Sequence, residues 1–484
     1  MTHAHRPAAA LTLAAALLTA ACAGSSQERR DEPLPPPPPV AGEPAPNLAP
    51  TSLVSEAVLL RDAWLMPVSA EPFRGHLLIQ GGRIARVSEE PIEVGDDVTV
   101  IDVAGRHVTP GLIDTHSHMG VYPSPHIAAH ADGNEATSPT TPEVGSQHGF
   151  WPQDPALERA LRGGITTIQV LPGSANLIGG RAITLKLHPG VSTRAMRFEG
   201  APWGLKMACG ENPKRVYGSK QRMPSTRMGN MAVWRATFQR AVEYRERLEK
   251  HRRATATWER DGADPNKKPD APPRDLGLET LVAVLQGEIL VHVHCYRADE
   301  MLQVMELAKE FGFRVRSFHH AVEAYKIRDV LAAWDVSVST WADWWGFKIE
   351  AHDAILQNAA LVHAAGGRAI IHSDDPVGVQ RLNQEAAKAY HAGLRGGLEL
   401  TERDALAWIT RNPAWALGVE EEVGTLEEGK RADVVIWSAH PLSVYAQPQV
   451  VFVDGVREFD AARDATAEPW SDFEVDALPE EVPR

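Results

Sequence analysis

Residues 109–118 read TPGLIDTHSH, an apolar segment that ends in two histidines, His116 and His118. The Leu-Ile core of this segment is typical of a buried strand, and side chains two positions apart on a strand point to the same face. Two neutral imidazoles held side by side can bind one divalent cation. The stretch therefore predicts a strand that presents a pair of metal ligands at its carboxyl end. An alternative is that both rings are satisfied by backbone groups.

Three further apolar runs end in the same kinds of side chain. Residues 289–294 read ILVHVH, residues 314–320 read RVRSFHH, and residues 369–375 read AIIHSDD. Between such runs lie helical patterns, for example one with Asp154 as N-cap and Pro155 in the first turn. A (β/α)8 barrel keeps its active site at the carboxyl ends of its strands. The order therefore predicts an α/β fold with a TIM-like barrel, whose site contains histidine and carboxylate ligands that suit zinc or a similar ion.

Two of these runs offer more than one histidine. His292 shares a strand face with His294 and could compete as a ligand, but it should lie one layer deeper in the barrel. On an extended strand His319 points away from His320, so only one of that pair faces the site. Asp374 follows the last run, where it could cap a helix before Pro376 or act on a proton.

The composition and charge of the chain favour a globular protein and argue against a nucleic-acid-binding one. The chain has 484 residues, 43% hydrophobic content and a net charge of −14. That content supports a large core, and an acidic chain lacks the basic face that nucleic-acid binding usually needs. We therefore expect a globular protein with no nucleic-acid partner.

The chain ends predict export. Residues 1–22 look like a signal peptide with a lipobox, LTAAC, that ends at Cys22, although Thr19 departs from the usual leucine. Residues 23–50 form a Pro-rich linker, and residues 463–484 an acidic tail. We expect a periplasm-facing lipoprotein of the cell envelope, anchored at Cys22; a secreted or soluble periplasmic form is the alternative. Cys209 and Cys295 could pair in an oxidising compartment, but two buried thiols are the favoured interpretation.

These motifs together resemble the amidohydrolase superfamily, in particular its imidazolonepropionase-like branch. The resemblance is carried by the HxH after PGLID, by His294, by His320 with the AVEA after it, by Ser373-Asp374, and by the C-terminal NPA, GTL and GKRAD motifs. It implies a metal-dependent barrel that hydrolyses C–N bonds of a small-molecule substrate. It also implies a small β-sandwich built from both chain ends, residues 51–108 and 424–462, beside a barrel of residues 109–423.

The resemblance assigns roles to single residues. The implied metal ligands are His116, His118, Lys206, His294, His320 and Asp374. Asp374 would move the proton while a metal-activated hydroxide attacks an amide or cyclic amide, with His320 beside it in the catalytic set. Lys206 could be carboxylated and bridge two ions; Glu211 is the acidic alternative and Lys186 a weaker one, and without a bridge one ion remains possible.

Other functions stay open on the same residues. A metallo-dipeptidase, a heterocycle deaminase or an esterase would use a similar set of ligands, because a barrel does not determine its substrate. The non-enzymatic alternative is an envelope lipoprotein that only binds a small molecule. Such a protein would be expected to have lost a metal-binding histidine or the aspartate. This chain retains them all.

Overall fold

The computed structural model describes residues 55–344 and 346–464. The predicted signal peptide, Cys22, the Pro-rich linker and most of the acidic tail lie outside these residues. The strands, numbered in chain order, are β1 (Val58–Leu65), β2 (Phe73–Gln80), β3 (Arg83–Ser88), β4 (Thr99–Asp102), β5 (His107–Pro110), β6 (Leu112–Ser117), β7 (Ile165–Val170), β8 (Ile178–Lys186), β9 (Trp203–Ala208), β10 (Ile289–Cys295), β11 (Val315–His320), β12 (Ser337–Thr340), β13 (Ala369–Ile371), β14 (Val434–Trp437), β15 (Pro448–Val453) and β16 (Val456–Asp460).

The α-helices lie mainly between the strands of the second half. They are α1 (Pro155–Arg162), α2 (Thr193–Met196), α3 (Glu211–Gly218), α4 (Arg227–Arg260), α5 (Leu276–Leu285), α6 (Ala298–Phe311), α7 (Arg328–Ala333), α8 (Asn358–Ala364), α9 (Leu382–Arg395), α10 (Glu402–Ala407) and α11 (Arg411–Leu417). Asp154 caps α1 as predicted, because its side chain accepts a hydrogen bond from the Ala156 N–H. Within the described ranges no helix is both long and apolar enough to cross a membrane.

Strands β6 to β13 form one eight-stranded sheet that nearly closes into a barrel. Its two edge strands are joined through residues 408–409. The N–H of Ile113 donates to the Ile409 carbonyl at 2.9 Å, and the N–H of Ile371 donates to the Trp408 carbonyl at 3.0 Å. The predicted α/β barrel architecture is confirmed at this level.

One strand departs from the predicted repeat of parallel strands. Strand β8 runs antiparallel to both of its neighbours, β7 and β9, whereas β9 to β13 are parallel. Only residues 171–177 separate β7 from β8. A parallel crossover needs a dozen or more residues, so this short connection returns the chain antiparallel. A (β/α)8 barrel has eight parallel strands, so the predicted barrel is wrong in the direction of β8.

The remaining strands form a second sheet from both chain ends, in the order β16-β15-β14-β5-β1-β2-β3, with β4 beside β1. The joint is the antiparallel pair of β5 and β14, in which Thr109 lies opposite Val435. Strands β2 and β3 form a hairpin around the Gly-Gly pair, because Gly81 and Gly82 adopt positive φ angles of 59° and 78°. The two ends thus share one sheet, while its division into a sandwich and the exact domain boundaries stay predictions.

Candidate metal centre

The HxH pair, His116 and His118, lies at the carboxyl end of β6 with its Nε2 atoms 3.3 Å apart. The Nδ1 atom of His118 lies 2.8 Å from the Leu171 carbonyl. A carbonyl can only accept, so this nitrogen carries the hydrogen and Nε2 keeps its lone pair. Burial lowers the pKa of both imidazoles, that of His118 to about 3, so both are neutral at pH 7.

Asp374 faces this pair from the end of β13. Its Oδ1 lies 3.5 Å from Nε2 of His116 and 3.4 Å from Nε2 of His118, and its Oδ2 lies 4.0 Å from Nε2 of His320. Burial raises the pKa of Asp374, and the positive charge of Lys206 opposes that rise. The N–H of Asp374 donates to the His116 carbonyl at 3.0 Å, which ties the two strand ends together.

Asp114 connects the same two strand ends through hydrogen bonds. Its carboxylate accepts hydrogen bonds from the His116 N–H and from the N–H and hydroxyl of Ser373, all between 2.5 and 3.1 Å. Burial raises its pKa to about 6, against the opposing effect of these hydrogen bonds. This placement fits a carboxylate that orients the neighbouring imidazole of His116 rather than one that reacts.

His294 and His320 form the other side of the site, with ring centroids 4.5 Å apart. Both are buried, and the Nδ1 atom of each has no hydrogen-bond partner. His320 has a left-handed backbone with φ of 67°. A buried imidazole nitrogen normally has a hydrogen-bond partner. Two such nitrogens without a partner are what a site that binds a cation would show.

Lys206 is fully buried on β9. Its Nζ donates to the Pro172 carbonyl at 3.0 Å and lies 3.5 Å from Nε2 of His116. Burial lowers its pKa, with Asp374 opposing. Of the predicted bridging candidates, Lys206 is the one beside the HxH pair.

The two alternatives to Lys206 have other partners. Glu211, at the start of α3, lies 3.8 Å from Nζ of Lys348. Lys186 donates to both carboxylate oxygens of Asp433 at 2.5 Å and lies 3.0 Å from Asp454, which ties β8 to the sheet of the chain ends.

The prediction that His319 points away from the site is wrong. Its Nδ1 lies 2.9 Å from Nδ1 of His116, and its Nε2 lies 3.0 Å from Nδ1 of His292. His319 and His320 both face inward because His320 leaves the extended conformation, so strand alternation no longer applies to it. His292 lies one layer deeper, as expected.

The sequence patterns did not single out His372 as a candidate site residue. In the described part of the chain, two sets of three side chains have ligand atoms within 4.8 Å of one another: His116, His118 and Asp374, and His116, His320 and His372. His372 is 1% exposed and neither ring nitrogen has a partner. Its position two residues before Asp374, directly after the same apolar run, was the available signal.

Aromatic rings cover the His320 side of the site. Trp341 stacks on His320 with centroids 4.3 Å apart, and Tyr296 stacks at 5.1 Å. The Trp341 indole N–H donates to the Ser373 carbonyl at 3.0 Å. Beside His118 and Asp374 opens a cavity of about 330 Å³, which Tyr122, Ser124 and His126 also line. Larger cavities of about 510 Å³ lie elsewhere, and none of these side chains lines them.

The favoured interpretation of Cys209 and Cys295 as two free thiols is also wrong, because they form a disulfide. Strands β9 and β10 are parallel neighbours in which Ala208 lies opposite His294. The following residues on both strands are the cysteines, and their Cα atoms are 5.2 Å apart, within the range that a disulfide spans. The bridge directly follows His294 in the chain.

Comparisons with known proteins point to one family. A model of the amidohydrolase family matches residues 326–457. The crystal structure of an amidohydrolase from Thermotoga maritima MSB8 superposes with a TM-score of 0.74 and is 35% identical, covering 83% of this chain and 100% of its own.

Two curated sequences are also similar. The amidohydrolase tasK of Hapsidospora irregularis is 35% identical over 404 residues, which cover 80% of this chain and 40% of the relative. An imidazolonepropionase of Klebsiella pneumoniae subsp. pneumoniae is 35% identical over 147 residues, 25% of this chain and 35% of the relative. The matched segments thus span less than half of the length of either relative.

Proposed function

This chain belongs to the amidohydrolase family, and we propose that it is a hydrolase that cleaves a carbon–nitrogen bond, an amide or cyclic amide bond of a small substrate, with the help of a divalent metal ion. The observation that carries the proposal is the set of His116 Nε2, His118 Nε2 and Asp374 Oδ1, separated by 3.3 to 3.5 Å. Zinc bonds to nitrogen and oxygen of about 2.0–2.1 Å in a tetrahedral site place neighbouring ligand atoms about 3.4 Å apart. The residues therefore fit zinc or a similar ion.

In the proposed hydrolysis the side chains around the ion have different roles. When bound, the ion supplies an activated water and polarises the bond under attack. Asp374, next to both imidazoles, takes the proton of the attacking water and returns it to the leaving nitrogen. Asp114 keeps the strand ends of His116 and Asp374 in register through Ser373. Trp341 and Tyr296 exclude water from the His320 side.

Lys206 is the proposed bridge between two ions. Burial favours its uncharged amine, which can add CO2 to form a carbamate with release of one proton. The resulting anion would lie beside His116, while His294 and His320 would complete the second position. If the amine stays unmodified, a single ion held by the HxH pair and Asp374 is the simpler state.

The substrate is proposed to be small, because the cavity beside Asp374 has a volume of about 330 Å³. A dipeptide, an acylated amino acid, a heterocyclic amine or an ester would also present a bond of suitable polarity. A purely ligand-binding role is the non-enzymatic alternative.

The direct test combines metal analysis with turnover. Purified protein, after chelation and reconstitution with zinc, cobalt or manganese, is screened against dipeptides, acylated amino acids, cyclic ureides and aminated heterocycles. Asp374→Asn should keep most of the metal and lower turnover by roughly 10²–10⁴-fold, the usual contribution of a positioned acid–base group. His391→Ala, on the exposed side of α9, is the matched control and should behave as the parent. Parent protein that binds no metal, or an Asp374→Asn variant with normal turnover, would refute the proposal.

We also propose that the protein is a lipoprotein of the cell envelope, tethered through Cys22 and facing the periplasm. Support comes from the lipobox-like LTAAC and the Pro-rich residues after it. Cys22→Ser should release the protein from membranes or leave it unprocessed. Labelling with a fatty-acid analogue reports the lipid itself, and identical fractionation with no label in either form would contradict the tether.

A further inference from the structure

Four buried side chains form a hydrogen-bonded row that leads from the barrel interior to the HxH pair. Nε2 of Gln169 lies 3.2 Å from Nε2 of His292, Nδ1 of His292 lies 3.0 Å from Nε2 of His319, and Nδ1 of His319 lies 2.9 Å from Nδ1 of His116. None of the four is more than 1% exposed. We call Gln169, His292, His319 and His116 the imidazole row.

A row of neutral imidazoles can carry its hydrogens in only two arrangements, because each ring has one N–H and one lone pair. Each contact needs one donor and one acceptor. Once one ring is assigned, every other ring in the row follows. The row therefore runs either from His116 toward Gln169 or in the reverse direction.

The metal-facing end selects the direction. Nε2 of His116 is the atom near His118, Asp374 and Lys206, so it must keep its lone pair to bind a cation. The hydrogen of His116 then sits on Nδ1 and is donated to Nδ1 of His319. His319 in turn donates from Nε2 to Nδ1 of His292, and His292 is left with an N–H on Nε2.

The far end must then accept a hydrogen bond. Only the side-chain oxygen of Gln169 can do so at that position. In the structure the Gln169 amide turns its nitrogen to His292, and its oxygen is buried without a partner. Half a turn of the amide exchanges the two atoms, gives the Gln169 oxygen a donor in His292 and completes the row.

We propose that Gln169, His292 and His319 are positioning residues that hold His116 in the Nδ1–H form and so keep its Nε2 lone pair available to the ion. The proposal rests on the proposed metal-dependent function. Reversal of the row would put the hydrogen of His116 on Nε2 and block coordination there. Partners of this kind typically change metal affinity by about 10–100-fold when they are removed.

The test measures the dissociation constant for zinc and for cobalt by competition with a chromophoric chelator, and the visible spectrum of the cobalt form. His319→Leu removes the acceptor beside His116 and should weaken binding by about 10–100-fold. His319→Asn keeps an acceptor oxygen near the position of Nδ1 and should restore most of the affinity. Gln169→Leu, three residues along the row from the ion, should weaken binding in the same direction, whereas Gln169→Glu retains an acceptor and should not.

Asn383→Leu is the matched control, because Asn383 is a buried amide that donates to the Pro441 carbonyl at 2.7 Å and is not part of the row. It should lower thermal stability and leave the dissociation constant unchanged. If His319→Leu does not fold, Gln169→Leu and Gln169→Glu still decide the question. Parent-like affinity in Gln169→Leu and in any folded His319→Leu overturns the proposed row alone, whereas a parent protein that binds no metal overturns the proposed function.

Discussion

Removal of the disulfide between Cys209 and Cys295 should cost this protein several kcal/mol. The two cysteines are 86 residues apart in the sequence. In the loop-entropy relation, a closed loop of that length corresponds to about 4.6 kcal/mol at 25 °C. With an unfolding entropy of about 2.1 cal/mol/K per residue, a chain of this length loses about 1 °C of Tm per kcal/mol. We therefore expect the double variant Cys209→Ala/Cys295→Ala to melt about 4–5 °C below the parent.

The assay is thermal unfolding by calorimetry in oxidising and in reducing buffer, with a thiol count on the unfolded protein. The double variant serves as its own control, because reductant has nothing to cleave between these positions. The double variant should also bind less metal than the parent, because the disulfide holds the backbone beside His294. Cys295 follows His294 directly, and the Cys209 N–H donates to the His294 carbonyl at 2.8 Å. Equal Tm values for parent and double variant in oxidising buffer, with two free thiols at these positions in the parent, would refute the reasoning.

Three further predictions concern buried charges. Lys186→Met leaves the carboxylate of Asp433 buried without its cation, so the free energy of unfolding should fall by about 3–5 kcal/mol. Urea unfolding measures this loss, and the exposed Lys267→Met is the control. A loss no larger than that of the control would contradict the prediction. Burial lowers the pKa of His188, but its hydrogen bonds to acidic partners outweigh that effect and raise it; the parent's stability advantage over His188→Gln should thus be full below about pH 6.5 and decline as pH rises through the higher folded pKa. Lys206→Ala should lose about one ion per chain together with turnover, measured by elemental analysis, and added short carboxylates should restore part of both; retention of every ion would favour Glu211 as the bridge.

Part of the candidate site could be predicted from the sequence because its side chains stand at the ends of apolar runs. His116 and His118 share a face by their spacing, and Asp374 follows an apolar run in the same way. The structure brings these three together at 3.3 to 3.5 Å. Their roles as ligands stay predictions until metal is measured.

Periodicity fails where the backbone leaves the extended state. His319 and His320 both face the interior because His320 has a φ of 67°, and no spacing rule indicates that angle. His372 follows the last residue of the short strand β13, and its burial beside His116 depends on the way the sheet curves to meet β6.

What the sequence determined by itself was local: apolar runs that form strands, the cap of α1, the Gly-Gly hairpin, and the side chains that stand at strand ends. What only the tertiary structure decided was which distant segments become neighbours. The antiparallel course of β8, the pairing of β5 with β14, the disulfide across β9 and β10, and the row from Gln169 to His116 all join residues far apart in the chain. Local patterns constrain the conformation of a segment, whereas such contacts depend on how the sheet closes around a shared core, and the closure is a property of all its strands together.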